Sequence, residues 1–381
     1  MAQPGAATTP VTPSARLLSL DVVRGLTIAW MIMVNNNGGP GEWSQMDHAD
    51  WNGFTATDLV FPMFLFVVGA SIVLAFEARL ARRVTRAQLA WQAARRAGVL
   101  FVLGVALNGF PNFELVHLRI YGVLQRIAIC YLIVALFHLW DRRASSKLIL
   151  VAAILLGYWV LLRWVPVPGA GMPGREIPFL DNDLNIVAWL DRHLMPGHLY
   201  EEWPLDNMRD PEGLLSTIPA IATTLIGLLA GIWMRGHAAA GRFRPLHART
   251  QGLYSGAAIC LILGYAWSLV FPLNKNLWTS SFVLVAAGWS LAIMALLFWA
   301  IEQKGWGRQG WSRALLWPWI VFGSNAITAY VISELVPPLL PDVRFPIADP
   351  GWAAFSYSVS IALLCFIPVW VLYWRKIFVK V

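Results

Sequence analysis

A histidine in a short polar segment is the strongest candidate for chemistry in this sequence. His48 lies between two carboxylates, Asp47 and Asp50, and a third, Asp58, follows further along the chain. An imidazole titrates near neutral pH and is the usual general base in enzymes, and a nearby carboxylate can fix its tautomer. These residue types are also common in turns and helix caps, and Thr57 or Asp58 could be the N-cap of a helix. The spacing therefore allows both a catalytic site and a solvated turn.

Ionisable and amide side chains also interrupt the apolar segments of the chain. Such groups are costly in hydrocarbon and mark ion pairs, cavities or ligand sites. Asp21 and Arg24 are one helical turn apart and can pair with each other or face a cavity. Arg126 has no carboxylate three or four residues away, so its anion must come from another segment or from a ligand. The other members of this group are Asn35, Asp58, Asn325 and Glu334.

The apolar segments themselves define the class of protein. Of the 381 residues, 58% are hydrophobic and 13% are charged, whereas a soluble domain has about 25% charged residues. Segments long enough to cross a bilayer are predicted at 16–38, 56–79, 94–110, 119–140, 146–166, 214–234, 252–271, 278–301, 316–337 and 352–374. The expected fold is all-α, a polytopic transmembrane helical bundle of about ten spans.

The basic residues predict how this bundle is oriented. When successive connections are placed on alternate sides, 20 lysines and arginines fall inside, six outside and three within spans. Cytoplasmic loops are enriched in these residues, so both termini are predicted to be cytoplasmic. Topology thereby explains the net charge of +8, and no nucleic-acid partner is expected.

The domain organisation is predicted to be simple. Residues 1–15 are rich in Pro, Ala and Thr and are expected to form a disordered tail, and 16–381 to form one transmembrane domain. The connection 167–213, expected to be a long periplasmic loop, carries nine carboxylates and could cap the helix ends or cover a substrate. All three cysteines fall in apolar segments, so no disulfide framework is expected, and no histidine spacing indicates a metal site.

Several motifs resemble, in the same order, those of the heparan-alpha-glucosaminide N-acetyltransferase family, membrane transacylases that include bacterial proteins of the NagX type. The motifs lie at 19–25, 34–35, 48–53, 56–62, 69–72, 122–126, 210–217, 274–281 and 322–326. The resemblance extends from about residue 16 to the end of the chain. It implies a membrane-bound, acetyl-CoA-dependent N-acetyltransferase that transfers acetyl from the cytosolic side to an amino sugar on the other side.

The resemblance also implies catalytic roles. His48 matches the histidine of the family and could act as a general base or carry the acetyl group as an acyl-imidazole. Asn35 matches an asparagine near that histidine and could donate hydrogen bonds to the oxyanion, or could simply end a helix. Asp58 could orient His48 or cap a helix.

Binding roles follow in the same way, with acetyl-CoA as the implied donor and no metal. The donor phosphates are expected near the basic inner face. Ser324 and Asn325 could bind the pantetheine amides or make polar contacts between helices. The residues expected to bind the donor are Arg24, Arg126, Ser324, Asn325 and Lys380. The residues expected to contact the acceptor are Asp50, Asp210, Glu212 and Trp278.

Similarity to the bacterial members implies a multi-pass protein of the bacterial inner membrane, surrounded by lipid and forming a homodimer. The implied acceptor is glucosamine or a peptidoglycan-derived amino sugar. Two other functions remain open. The same polar core could serve an amino-sugar transporter, or a donor-binding subunit that passes acyl groups to a partner.

Overall fold

The computed structural model describes residues 17–37, 43–200, 209–236, 243–307, 310–339 and 347–379. Within these residues the protein is helical and has no β-strand, which confirms the all-α fold. The helices are α1 (Leu18–Asn35), α2 (Ala56–Leu80), α3 (Arg86–Gly109), α4 (Val123–Trp140), α5 (Ala144–Trp164), α6 (Ile186–Leu194), α7 (Leu214–Arg235), α8 (Leu246–Ser268), α9 (Ser280–Phe298), α10 (Gly310–Ser324), α11 (Ala326–Leu335) and α12 (Pro350–Trp374). The predicted tail 1–15 and the predicted donor ligand Lys380 lie outside the described residues.

Eight of these helices are long and apolar enough to cross a membrane: α1 to α5, α7, α9 with the π-helical turn Trp299–Gln303, and α12. They confirm eight of the predicted spans and a multi-pass membrane protein. The segment predicted at 316–337 is instead a pair of helices, because the chain bends by 76° between α10 and α11. If this bent pair counts as one span, the described residues provide nine.

The span predicted at 252–271 differs from the observed helix in its bounds, because α8 begins at Leu246 and ends at Ser268, before the last three apolar residues of the predicted run. Helix α8 begins with the polar sequence that includes His247, Arg249 and Thr250, and it is not among the helices apolar enough to span. It still runs the length of the bundle. At its start, Thr250 donates to Gln303 at the end of the π-helical turn, and just after its end, the carbonyl of Leu273 accepts from Gly53 before α2.

Close contacts between helix backbones set the depth at which α10 crosses α1. A Cβ built on Gly25 of α1 would lie 1.7 Å from the carbonyl oxygen of Trp319, and one on Gly323 would lie 2.1 Å from that of Asp21. Only glycine permits this approach. The bend after α10 is therefore held beside the first turns of α1.

The ends of the helices form two groups at opposite ends of the bundle. We call the end where α1 finishes (Asn35) and α2 begins (Ala56) the histidine end. We call the opposite end, where α2 finishes (Leu80) and α3 begins (Arg86), the basic end. The cytoplasmic location of the basic end remains a prediction from the distribution of lysine and arginine.

Candidate active site

The loop before α2 is fixed by hydrogen bonds to the start of that helix. Thr55 is the N-cap: its hydroxyl accepts from the backbone N–H of Asp58, and the Asp58 carboxylate accepts from the N–H of Thr55 at 3.0 Å. The side-chain oxygen of Gln45 accepts from the N–H of Ala56 at 3.1 Å. The cap is thus Thr55, and the expectation that Thr57 or Asp58 holds that position is wrong, because Asp58 completes the reciprocal pair from the third helical position.

The same carboxylate holds the imidazole of His48. Nδ1 of His48 lies 2.8 Å from Oδ1 of Asp58, whereas Oδ2 accepts from the N–H groups of Ala49 and Thr55 and from the Thr55 hydroxyl. Asp58 is 1% exposed, and the two backbone N–H donors on one oxygen stabilise its charged form. A charged carboxylate only accepts, so Nδ1 carries the hydrogen and Nε2 keeps its lone pair. The His48 side chain is 46% exposed, although its ring is bound to a buried carboxylate.

Lys275 contacts the other side of the ring, and sequence reasoning missed it. Its Nζ lies 2.9 Å from Nε2 and 3.1 Å from Nδ1 of His48. An atom this close to both nitrogens cannot lie in the ring plane, since the carbon between them would clash, so the ammonium sits over the ring face. The motif at 274–281 contains this lysine, but nothing in its sequence position indicates a contact with His48.

Burial and two nearby carboxylates act in opposite directions on the pKa of Lys275. Burial lowers the pKa of Lys275, although the carboxylates of Glu212 and Asp58 oppose this effect. Its position is fixed by the preceding residue, Asn274, which is buried, donates to the carbonyl of Trp51 at 3.0 Å and accepts from Leu277 at 2.8 Å. The lysine therefore reaches the histidine from a rigid segment.

A second charged cluster lies at the same end, between α3 and α7. Arg119 binds Asp210 through two hydrogen bonds of 2.8 and 2.6 Å and binds Glu212 at 2.6 Å. Both carboxylates are buried. Burial alone would raise the pKa of Glu212. The positive charges of Arg119, Arg126 and Lys275 outweigh this effect, so the pKa of Glu212 is lowered. Burial raises the pKa of Asp210 despite Arg119. The predicted acceptor residues Asp210 and Glu212 therefore already share a guanidinium, which the sequence did not identify as their partner.

Arg126 is found at a different depth from the one expected. It lies in the first turn of α4, at the histidine end, and the expectation that it lies at the inner face with the donor phosphates is wrong on this point. Its guanidinium is 1% exposed, donates to the carbonyl of Gly213 and to Ser216, and lies 4.9 Å from the centre of the Trp278 ring. Trp278 is itself buried, packed between this arginine and Phe61. Its contact with an acceptor stays a prediction.

Arg24 lies towards the basic end and forms the expected pair with Asp21, at 3.0 Å. It also donates to Ser71 of α2 at 2.9 Å and lies 3.4 Å from the carbonyl oxygen of Gly323. Ser71 is 13 residues beyond Asp58 on the same helix, a separation of about 20 Å along the axis. The site of Arg24 and the site of His48 are thus at different depths of one bundle.

The bend between α10 and α11 brings two further predicted donor residues close to Arg24. Ser324 ends α10 and donates to the carbonyl of Val321. The buried amide of Asn325 donates to the carbonyl of Ile377 and accepts from the N–H of Val379 at 2.8 Å. Asn325 therefore holds the chain after α12 against the bend, a contact that the sequence did not predict.

Two predicted residues stand apart from the imidazole. Asn35 is the last residue of α1, and its side chain hydrogen-bonds to Glu334 of α11; within the described ranges no hydrogen bond joins it to His48. Asp50 is exposed in the same loop as His48. Among the residues that the structure covers, no group of three or more metal-binding side chains is close enough to hold a metal ion.

Comparison with known sequences gives a consistent result. A profile described as the catalytic region of heparan-alpha-glucosaminide N-acetyltransferase matches residues 16–259. The proteins named heparan-alpha-glucosaminide N-acetyltransferase from Homo sapiens and Mus musculus are each 29% identical to this chain over 96% of its length. The chain spans 60% of the length of these relatives.

Proposed function

Since this chain belongs to the heparan-alpha-glucosaminide N-acetyltransferase catalytic family, we propose that it is a membrane-bound N-acetyltransferase. The donor is acetyl-CoA, which binds from the basic, cytosolic side, and the acceptor is the amine of an amino sugar on the periplasmic side. The observation that carries this proposal is the half-exposed imidazole of His48, with one nitrogen bound to a buried carboxylate and the other next to Lys275.

The reaction uses Nε2 of His48 in either of two orders. As a general base, Nε2 takes a proton from the acceptor amine while the nitrogen forms its bond to the acetyl carbon and the carbon–sulfur bond breaks. As an acetyl carrier, Nε2 first displaces the thiol and then gives the acetyl group to the amine. In both orders the proton lost by the amine ends on the departing thiolate. Asp58 keeps the hydrogen on Nδ1 and stabilises the positive ring.

Lys275 is the group best placed to stabilise the oxyanion. The carbonyl oxygen of the acetyl group becomes negative next to Nε2 of His48. Nζ of Lys275 lies 2.9 Å from Nε2. A rigid backbone on both sides keeps this cation in place. Asn35 was expected to fill this role, and its contact with Glu334 leaves that assignment a prediction.

The donor is proposed to extend between the two ends of the bundle. Arg24 supplies a guanidinium towards the basic end for the phosphates, and Ser324 and Asn325 border the same region. The separation of about 20 Å along α2 requires an extended molecule, which suits the narrow pantetheine arm. Only the acetyl group then needs to reach the histidine end.

The acceptor is proposed to approach from the exposed side of His48. Asp50 is exposed in the loop that carries His48, and an acidic loop attracts a cationic amine. Asp210 and Glu212 both bind Arg119, so in this proposal they contact the sugar while keeping that ion pair. Glucosamine or a peptidoglycan-derived amino sugar is the proposed acceptor, and a homodimer in the bacterial inner membrane is the proposed assembly.

The test is turnover by the purified protein with acetyl-CoA and glucosamine, measured as release of free thiol. We expect acceptor-dependent release that His48→Ala abolishes and that His117→Ala, which removes an exposed loop histidine, leaves unchanged. Thiol release that does not depend on glucosamine, or that survives His48→Ala, contradicts the proposal. Uptake of labelled glucosamine by vesicles without acetyl-CoA would support a transporter instead.

A further inference from the structure

The turn between α4 and α5, at the basic end, is unusually well fixed. The Asp141 carboxylate accepts from the N–H of Arg143 at 2.8 Å, and Ser146 donates to the carbonyl of Arg143 at 2.9 Å. The buried ammonium of Lys147 donates to the carbonyls of both Asp141 and Arg143. The turn therefore presents the side chains of Arg142 and Arg143 from a rigid backbone.

This turn borders a surface pocket of about 460 Å³ that we call the Arg142 pocket. Its lining is Arg86, Trp140, Asp141, Arg142 and Arg143. The volume lies within the range of small-molecule sites. Three guanidinium groups face one carboxylate, and that carboxylate is already bonded to the backbone of the turn. The pocket thus carries an excess of positive charge.

The arginines of this pocket differ in whether they form ion pairs with other described residues. Arg142 pairs with Glu77 of α2, which also binds Arg235 of α7 at 2.5 Å. Arg86 and Arg143 are exposed and form no salt bridge within the part of the chain that the structure describes. Guanidinium groups bind phosphate oxygens through paired hydrogen bonds. Two arginines on fixed backbone are therefore available for one phosphate group.

An apolar surface begins directly beside this basic pocket. Trp140 is 81% exposed, and Leu136 of α4 and Leu148 and Ile149 of α5 are exposed within two turns of the pocket. In a membrane protein such side chains face lipid, and exposed tryptophans mark the level of the headgroups. A ligand that fits both surfaces has a phosphate head and a hydrocarbon body. This chemistry favours a lipid over a soluble nucleotide, which has no hydrocarbon to place there.

We propose that the Arg142 pocket binds the phosphate headgroup of an anionic phospholipid, with the acyl chains along α4 and α5. Basic pockets between transmembrane helices commonly hold such headgroups. The site is distinct from the proposed donor site, because Arg24 contacts α2 and α10 whereas this pocket is built from α3 and the α4–α5 turn. It does not depend on the proposed reaction.

The test is native mass spectrometry of the detergent-solubilised protein, titrated with phosphatidylglycerol or with phosphatidylcholine of the same acyl chains. We expect tighter binding of phosphatidylglycerol than of phosphatidylcholine. The double variant Arg86→Gln/Arg143→Gln should bind phosphatidylglycerol about 30-fold more weakly, because it loses one charged contact for each arginine. This variant keeps the ion pairs of Arg142 and Glu77. The matched control Arg313→Gln/Arg375→Gln removes two exposed arginines outside the pocket and should bind as the wild type does.

Three results would overturn the proposal. Equal binding of the two lipids would show that the headgroup charge is not recognised. Equal loss in both double variants, with unchanged thermal unfolding, would show that only net charge matters. Displacement of phosphatidylglycerol by micromolar coenzyme A or inorganic phosphate, with parallel weakening of that competitor in Arg86→Gln/Arg143→Gln, would assign the pocket to a soluble phosphate.

Discussion

The two ends of the bundle use charge in opposite ways. At the histidine end, Asp58 and Asp210 are buried, and fixed hydrogen-bond donors compensate their charges. At the basic end, Arg86 and Arg143 are exposed around an open pocket. Electrostatic interactions are stronger in a buried, low-dielectric site. The difference supports the proposal that one end holds reacting groups in place and that the other attracts anions.

This contrast also separates the expected effects of mutation. Changes at the histidine end should alter the rate of the chemical step or the stability of the fold. Changes near Arg24 should alter the affinity for the donor, because that side chain is about 20 Å from the imidazole along α2. The following experiments test this separation.

The largest effect is expected for Asp58→Asn. The amide cannot stabilise a positive ring as the carboxylate does, so kcat should fall by roughly 10²- to 10⁴-fold with little change in the KM for acetyl-CoA. Steady-state kinetics of the purified protein measure both constants. Asp47→Asn is the matched control, because the Asp47 side chain is exposed and accepts from the backbone N–H of His48 rather than from its ring. Equal losses in the two variants would argue against an orienting role for Asp58.

The next effect concerns stability and is expected for Arg119→Gln. Removing this cation leaves Asp210 and Glu212 buried without their shared partner, at a cost of about 3–5 kcal/mol in the free energy of unfolding. Thermal unfolding in detergent should show a clear fall in the midpoint, and adding Asp210→Asn should recover part of it. Arg175→Gln, which removes an exposed cation from the long connection that carries Asp210 and Glu212, should change little. An unchanged midpoint in Arg119→Gln would mean that the cluster is solvated.

A smaller effect is expected for Arg24→Gln. Loss of a charge-assisted contact to phosphate should raise the KM for acetyl-CoA by about 10- to 100-fold and leave kcat within a few-fold of the wild type. Arg82→Gln, which removes an exposed cation at the same end, serves as the control. A fall in kcat with an unchanged KM would show that Arg24 affects the chemical step, and would contradict the separate roles of the two ends.

The smallest effect is a change in the pH dependence of stability in Asp191→Asn. Asp191 of α6 is buried and accepts from the N–H of Leu214, and burial raises its pKa to about 7. Between about pH 4 and pH 7 the folded protein therefore holds a proton that the unfolded chain has lost. The free energy of unfolding should fall as pH rises through this interval.

Asp191→Asn should lack this contribution, so its unfolding midpoint should change less between pH 5 and pH 8 than that of the wild type. Asp181→Asn, at a partly exposed carboxylate of the same connection, is the control and should follow the wild type. A parallel pH profile in Asp191→Asn and the wild type would show that Asp191 is charged throughout.

Much of the helical fold was predictable because the apolar segments are long. Eight spans follow from runs of apolar residues that match the bilayer thickness. The failures have local causes. Helix α8 begins six residues before the predicted run and ends three residues before that run does, so its bounds include more polar residues. The bend at Ser324 and Asn325 accompanies the close approach of Gly323 to α1, which a hydropathy pattern does not encode.

The candidate site was predictable only where its members are close in sequence. His48 and Asp58 are ten residues apart, and the cap at Thr55 brings them together through local hydrogen bonds. Lys275 lies 227 residues from His48, and Arg119 lies 91 residues from Asp210. No spacing rule connects such pairs, since their contact depends on which helix ends are neighbours.

The sequence by itself determined that this is a membrane protein of apolar helices, with cations concentrated in alternate connections and a histidine beside carboxylates. Those properties depend on residue type and short spacing, which act before the helices pack. Only the tertiary structure decided that Lys275 covers the imidazole, that Arg119 joins Asp210 to Glu212, and that Arg126 belongs to the histidine end. The physical reason is that the packing of entire helices brings these distant residues to a common depth.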